Sequence, residues 1–293
     1  MLEVIKQFKK GKAPGPDEVP MEIFKKMNKG NLEEILKVLN KLWNEEEVPE
    51  EQLRARIVLI FKNKGNSNDI DNYRPIAPTS SMYKIFTAII QKRLCAQMDE
   101  HLQKTQYGFR KNKSTAHALH IIRRIMDVGY RAGQSLTLVL LDWEKAFDKV
   151  DQEELFIALE RMAVDPKFIN IIKQIYKNPT YKVEIEGHES NWHKQHSGIR
   201  QGCQLSPYLF LIIMTVMFHD IHSTVEFENN LEKDTILGTL FDEILYADDT
   251  IIYSRNYKTL QKLVHRIEEE GDKYGLKLNQ KNAKQCQPDK KEA

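Results

Sequence analysis

Between Leu245 and Tyr253 the chain reads Leu-Tyr-Ala-Asp-Asp-Thr-Ile-Ile-Tyr, two apolar runs with adjacent carboxylates between them. β-Branched and aromatic residues on both sides of a short polar break predict a β-hairpin with Asp248 and Asp249 at its turn. Neighbouring carboxylates repel each other and are costly to desolvate unless a cation or hydrogen-bond donors stand nearby. On these residues alone two readings stay open. One is an ordinary turn in solvent; the other is a hard-cation site whose oxygen ligands hold Mg²⁺ together with a substrate phosphate.

Other features of the chain bear on that choice. With 293 residues it can form one large domain or two lobes with cores of their own. Lys+Arg 44 against Asp+Glu 42 leaves a formal charge of +2, so a polyanionic partner would have to be met by local patches. Lys6, Lys9, Lys10 and Lys12 read as a solvated face, whereas Lys104, Arg110, Lys111 and Lys113 read as a candidate nucleic-acid contact. Cys95, Cys203 and Cys286 lack metal-ligand spacing, which argues for a reducing compartment and against zinc. The longest apolar run, Leu209 to Met217, is too short to span a bilayer, and Met1 opens neither a signal peptide nor a lipidation motif. These features predict an intracellular protein, in cytoplasm or nucleus, with no membrane partner.

The periodicities predict a mixed architecture. Leu32, Ile35, Leu36, Leu39, Leu42 and Trp43 recur at helical spacing, and Met82–Met98 and Thr115–Arg131 read as amphipathic helices. Gln152–Met162 and Pro166–Lys177 are helical, the second with proline at its start, and Ser206–Pro207 opens an apolar helix through Phe218. Thr259–Gly271 is a charged helix. Arg54–Phe61 and Leu136–Leu141 read as strands, and Tyr181–Ile185 as an edge strand. Without regular βαβ alternation the class is α+β.

The strand Leu136–Leu141 ends on Asp142, and a carboxylate at the end of a buried strand is where sheets present functional groups. Asp142 also suits a plain helix N-cap. Joined with Asp248 and Asp249 it would suit two divalent ions about 4 Å apart, one at the attacking oxygen and one at the leaving phosphate.

Read in order, a set of segments closes the question of class. They are Gly11-Lys-Ala-Pro-Gly-Pro-Asp17, Arg56-Ile-Val-Leu-Ile-Phe-Lys62 with Asn72-Tyr-Arg-Pro-Ile76, and Gln106-Tyr-Gly-Phe-Arg110 with Ser114-Thr115. Leu141-Asp-Trp-Glu-Lys-Ala-Phe-Asp148, Gly198-Ile-Arg-Gln-Gly-Cys203 with Leu205-Ser-Pro207, Tyr246-Ala-Asp-Asp249 and Gly275-Leu-Lys-Leu-Asn279 complete them. In this order they resemble the fingers and palm of a reverse transcriptase of the non-LTR, LINE-type retrotransposon family. The resemblance implies a right-hand polymerase fold with fingers over 1–135, palm over 136–285 and a polar tail over 286–293. It implies an RNA-directed DNA polymerase that adds dNTPs to a DNA primer on an RNA template, using two Mg²⁺ ions, with Mn²⁺ as a substitute.

Carried over by position, the resemblance implies that Asp142, Asp248 and Asp249 are the metal-binding catalytic carboxylates, and it implies the further roles that follow. Phe147, which the sequence alone would leave in the core, takes the place under the incoming sugar where a ring excludes a 2′-hydroxyl. Lys62 and Arg74 fall where the fingers meet the triphosphate, a contact that suits arginine's planar fork. Gln201 and Gly202 lie beside the nucleotide, Arg110 at the template backbone, and Tyr246 against the primer end. Cys203 reads as a small buried residue.

The pattern is not followed everywhere. Glu18 stands where the family has glycine, and Gln204 where it has proline. Asn282 and Ala283 occupy the positions of a family Lys and Thr or Ser, with Lys281 and Lys284 on either side. Past this point the family continues with a thumb, whereas this chain ends in the polar stretch Gln285–Ala293. A truncated or decayed copy that binds nucleic acid without polymerising is the alternative. An RNA-dependent RNA polymerase is disfavoured by Tyr246-Ala247 and Phe147.

Overall fold

The computed structural model describes residues 1–131, 133, 136–185, 187–227, 243–279 and 284–286. In chain order the helices are α1 (Leu2–Gln7), α2 (Met21–Lys26), α3 (Lys29–Glu45), α4 (Ser81–Met98), α5 (Thr115–Arg131), α6 (Ala146–Lys149), α7 (Gln152–Arg161), α8 (Pro166–Lys177), α9 (Ser206–Phe227) and α10 (Tyr257–Lys273). The strands are β1 (Arg54–Phe61), β2 (Tyr73–Ile76), β3 (Thr137–Leu141), β4 (Thr180–Ile185), β5 (His188–Glu189), β6 (His193–Lys194), β7 (Glu243–Tyr246), β8 (Asp249–Ser254) and β9 (Lys284–Cys286). This is an α+β chain, as the patterning predicts.

Local chemistry explains the sharpest ends. Asp165 accepts a hydrogen bond from the Lys167 N–H and caps α8, whose first residue is Pro166, a position that needs no donor. Asn256 does the same for α10 through the N–H groups of Lys258 and Thr259. Along α9 the residues Leu209 to Met214 are completely buried, so the helix is apolar all round because every side of it is covered. It runs past the predicted end at Phe218 to Phe227. Among the described residues no helix is long and apolar enough to cross a membrane.

The elements sort into two units that interleave along the chain, residues 1–98 with 159–206, and residues 99–158 with 207–293. The first carries a sheet ordered β2-β1-β4-β5, with β6 also on β4. Here β1 and β4 are parallel, while the remaining pairs are antiparallel. β4 is therefore internal and not the edge strand the sequence suggests. Its partner β1 lies far back in the chain, so nothing local announces that pairing.

The second unit carries the sheet β7-β8-β3-β9, antiparallel throughout. Ala118 and Ile125 of α5 share a core with Leu136, Leu138, Ile244 and Tyr253, so α5 covers this sheet. The expected division at 135/136 thus falls inside the second unit, because the apolar face of α5 is buried by strands that follow it.

Candidate active site

The antiparallel register assembles the acidic residues. Leu141 of β3 pairs with Thr250 of β8, so Asp142, one residue on, comes level with Asp249, one residue back. Tyr246 pairs with Asp249 across the β7–β8 turn, which leaves Ala247 and Asp248 as the connecting residues. Asp142, Asp248 and Asp249 are thereby gathered at one end of one sheet.

Ala247 has φ +59°, a left-handed conformation that disfavours a residue with a side chain by about 1–2 kcal/mol. Such backbone persists only where its surroundings over-determine it. Gly108 packs so closely here that a Cβ on it would lie 2.2 Å from the Ala247 nitrogen. Trp143, next to Asp142, donates its indole N–H to the Thr250 hydroxyl at 3.2 Å and fastens β3 to β8 at the same level. Asn279 donates its backbone N–H to the Asp142 carbonyl at 2.7 Å and its amide to the Asp142 carboxylate at 3.3 Å.

Burial, more than mutual repulsion, disturbs the carboxyls of the turn. Burial pushes the Asp248 carboxyl above its ordinary value, a backbone hydrogen bond holds it back in part, and the charges of Asp249 and Asp142 add to the rise. Asp249, more open to solvent, is raised by partial burial and then by Asp142. An all-oxygen donor set is the kind that suits a hard divalent cation. Among the described residues, no group of three or more His, Cys, Asp or Glu side chains is arranged to hold a metal ion.

Phe147 is half-buried in the same unit. Its ring stacks on Phe210 of α9 with centroids 5.0 Å apart and planes 15° from parallel, and meets Phe109 edge-on at 6.4 Å. A ring fixed on two sides is a rigid wall. Tyr246 is half-buried at the end of β7. Arg110 is turned inward, donating from Nε and Nη2 to the Asp99 carboxylate and from Nη1 to the Gln103 carbonyl at 3.0 Å.

The other site residues belong to the first unit. Lys62 is exposed and donates to the Asp71 carbonyl at 2.8 Å, and Arg74 is exposed on β2, paired in register with Ile60. The Gln201 carbonyl accepts from the Ala77 N–H at 2.9 Å. Gly202 has φ +110°, where a Cβ would come within 3.0 Å of the Ala77 carbonyl oxygen, so glycine is the fitting residue. Cys203 is buried, with its sulfur 3.5 Å from the Tyr83 hydroxyl. Lys281, Asn282 and Ala283 lie outside the described residues.

Sequence reasoning assigned no role to Gln106, Gly108, Trp143 or Asn279, although each stands inside a quoted segment. The signal available was that membership. Their partners lie 107 to 141 residues away, where no local pattern reaches.

Comparison with known proteins places these residues in context. A family model described as reverse transcriptase (RNA-dependent DNA polymerase) matches residues 61–291. The chain is 24% identical over 279 residues to the RNA-directed DNA polymerase from mobile element jockey of Drosophila melanogaster, covering 92% of this chain and 29% of that protein. It is 26% identical to the Pol polyprotein of a type-1 retrotransposable element R2 from Nasonia vitripennis, covering 91% of this chain and 25% of that one. A transposon TX1 protein of Xenopus laevis is 29% identical, covering 89% and 20%. The chain thus spans 20% to 29% of the length of these relatives. Among solved structures, telomerase of Candida tropicalis in complex with a TWJ fragment of telomeric RNA aligns with TM-score 0.58 at 17% identity, covering 88% of this chain and 45% of that one. That likeness speaks to the fold.

Proposed function

Because the chain belongs to the reverse transcriptase (RNA-dependent DNA polymerase) family, we propose that it is the fingers and palm of an RNA-directed DNA polymerase of a non-LTR retrotransposon, acting inside the cell. The reaction is transfer of a nucleotidyl group from a dNTP to the 3′-hydroxyl of a DNA primer on an RNA template. The observation that carries the proposal is the gathering of Asp142, Asp248 and Asp249 by strand register, with the carboxyls of the turn raised.

Asp142 and Asp248, with Asp249 beside them, would hold Mg²⁺ or Mn²⁺, which supplies charge neutralisation at the phosphoryl group and lowers the pKa of the attacking hydroxyl. The protein's part is positioning in a fixed electrostatic frame, since phosphoryl transfer asks little covalent chemistry of side chains. Asn279 and Trp143 hold the Asp142 end of that frame. Phe147, braced by Phe210 and Phe109, stands as the wall that a 2′-hydroxyl would strike. Lys62 and Arg74 supply positive charge to the triphosphate, Gln201 and Gly202 a close backbone approach to the nucleotide, and Tyr246 a surface for the primer end. Arg110 acts from inside the protein, as a pin for the loop it closes.

Primer extension on an RNA template with dNTPs and Mg²⁺ or Mn²⁺ tests the proposal. The unsubstituted chain is expected to extend the primer and Asp248→Ala to lose that activity. Salt-sensitive RNA binding without extension by the unsubstituted chain would instead favour a binding remnant.

A further inference from the structure

The turn that presents Asp248 and Asp249 is gripped by a side chain from elsewhere in the chain. Gln106 is completely buried. Its Oε1 accepts from the Ala247 N–H at 2.9 Å and from the Gly108 N–H at 2.8 Å, and its Nε2 donates to the Ala247 carbonyl at 3.3 Å. The amide can be oriented only one way here, because the oxygen must face two N–H groups and the nitrogen a carbonyl. Both backbone polar groups of the one left-handed residue in the turn are thus satisfied by Gln106.

The backbone around it leaves the side chain little freedom. The Leu245 N–H donates to the Thr105 carbonyl at 3.0 Å and the Tyr107 N–H to the Leu245 carbonyl at 2.8 Å, so residues 105–107 run parallel beside β7. Gly108 permits contact with Ala247 that any side chain would block. The carbonyl of Gln106 in turn accepts from Lys113 Nζ at 3.0 Å and, more distantly, from Arg110 Nη1. Arg110 is anchored on Asp99, and Lys113 also lies over the Tyr107 ring.

From this geometry we propose that Gln106 is a positioning residue for the metal-binding carboxylates: by fixing both backbone groups of Ala247 in the left-handed turn, it sets where Asp248 and Asp249 point. The proposal rests on the reading of those aspartates as metal ligands. Removing the amide leaves the Ala247 and Gly108 N–H groups buried without an acceptor. The cheapest relief is for Ala247 to leave its left-handed conformation, which swings the following carboxylates away from Asp142. Glycine at position 247 adopts that conformation at no steric cost, so it needs less holding.

The test is Mn²⁺ binding, read from loss of the EPR signal of free Mn²⁺, alongside primer extension and circular dichroism. The proteins are the unsubstituted chain, Gln106→Met, Gln106→Met/Ala247→Gly and Asp248→Asn. Gln106→Met is expected to bind Mn²⁺ about 10-fold more weakly and to lower kcat by about 10²-fold with smaller change in the dNTP KM, in line with what a misplacement of about 1 Å costs. The double variant is expected to recover part of both losses, which a role confined to packing would not give. Should Gln106→Met fail to fold, Gln106→Asn, whose amide is withdrawn by one methylene, is read by the same criteria. Mn²⁺ binding by a folded Gln106 variant equal to that of the unsubstituted chain overturns the clamp, and so does absence of any recovery at Ala247→Gly. Failure of the unsubstituted chain to bind Mn²⁺ overturns the metal reading itself, so the two failures are distinguishable.

Discussion

The loop between β1 and β2 holds itself together, whereas the turn between β7 and β8 is held by a side chain 141 residues away. In the loop, the Lys62 N–H bonds the Asn72 carbonyl, the Asn72 amide bonds the Asn66 carbonyl, and the Tyr73 hydroxyl bonds the Ser67 carbonyl. Its charged residues stand in solvent. In the turn the residue before the carboxylates is strained, buried and fixed by Gln106, and the carboxyls feel both burial and one another's charge. The contrast follows the work proposed for each. Cations that neutralise a flexible triphosphate act through field and tolerate small displacements, while carboxylates that locate a metal ion act through geometry and do not.

Substitutions on the two sides should therefore differ in kind. The largest expected effect is at the carboxylates, where Asp142→Asn or Asp248→Asn should lower primer extension on the order of 10³-fold or more. Lys62→Ala or Arg74→Ala should instead raise the dNTP KM roughly 3- to 30-fold with modest change in kcat. Equal losses of kcat from loop and turn would break the distinction. Next in size is the sugar wall: Phe147→Val should lower discrimination against ribonucleotides about 10- to 100-fold, measured as the ratio of kcat/KM values. Unchanged discrimination would remove Phe147 from the nucleotide site.

A smaller pair concerns stability. Gly108→Ala forces a methyl group against the Ala247 backbone and should cost about 1–3 kcal/mol in urea unfolding, whereas Lys64→Ala in the loop should stay within about 0.5 kcal/mol. The smallest effect is in pH. Since the Asp248 and Asp249 carboxyls are raised in the fold, the pair's contribution is fully present below the unfolded carboxylate pKa. It is lost as pH rises through the folded values, so metal-free protein should lose stability on going from acid to neutral pH at this site. Asp248→Asn should flatten that fall and slightly raise the metal-free Tm at neutral pH, while abolishing the stabilisation that Mg²⁺ gives. A pH profile indifferent to the substitution would show that the repulsion is relieved within the protein.

How much of this was legible in the sequence depended on the range of the interaction. The bounds of α5 and α8 and of β1 follow from apolar spacing, from Asp165 capping and from Pro166, all of them local. The hairpin at Asp248–Asp249 was legible for the same reason, and the ordered segments fixed the family. β4 reads as an edge in the sequence because its parallel partner is remote, and the expected division at 135/136 falls within the second unit, where α5 is buried by later strands. At the site, strand ends drew attention to the acidic residues, and the family resemblance supplied their role. What holds them could not be read from either.

Sequence alone therefore determined much of the inventory: the longer helices and strands, which residues carry charge, and which polymerase family supplies their order. Tertiary structure decided the arrangement. The β3–β8 register brings Asp142 level with Asp249, Phe210 braces Phe147, Arg110 is drawn onto Asp99, and Gln106 is spent on Ala247. Each of these joins residues distant in the chain, and such pairings are selected by burial and hydrogen-bond satisfaction in the folded state rather than by any preference of the residues themselves.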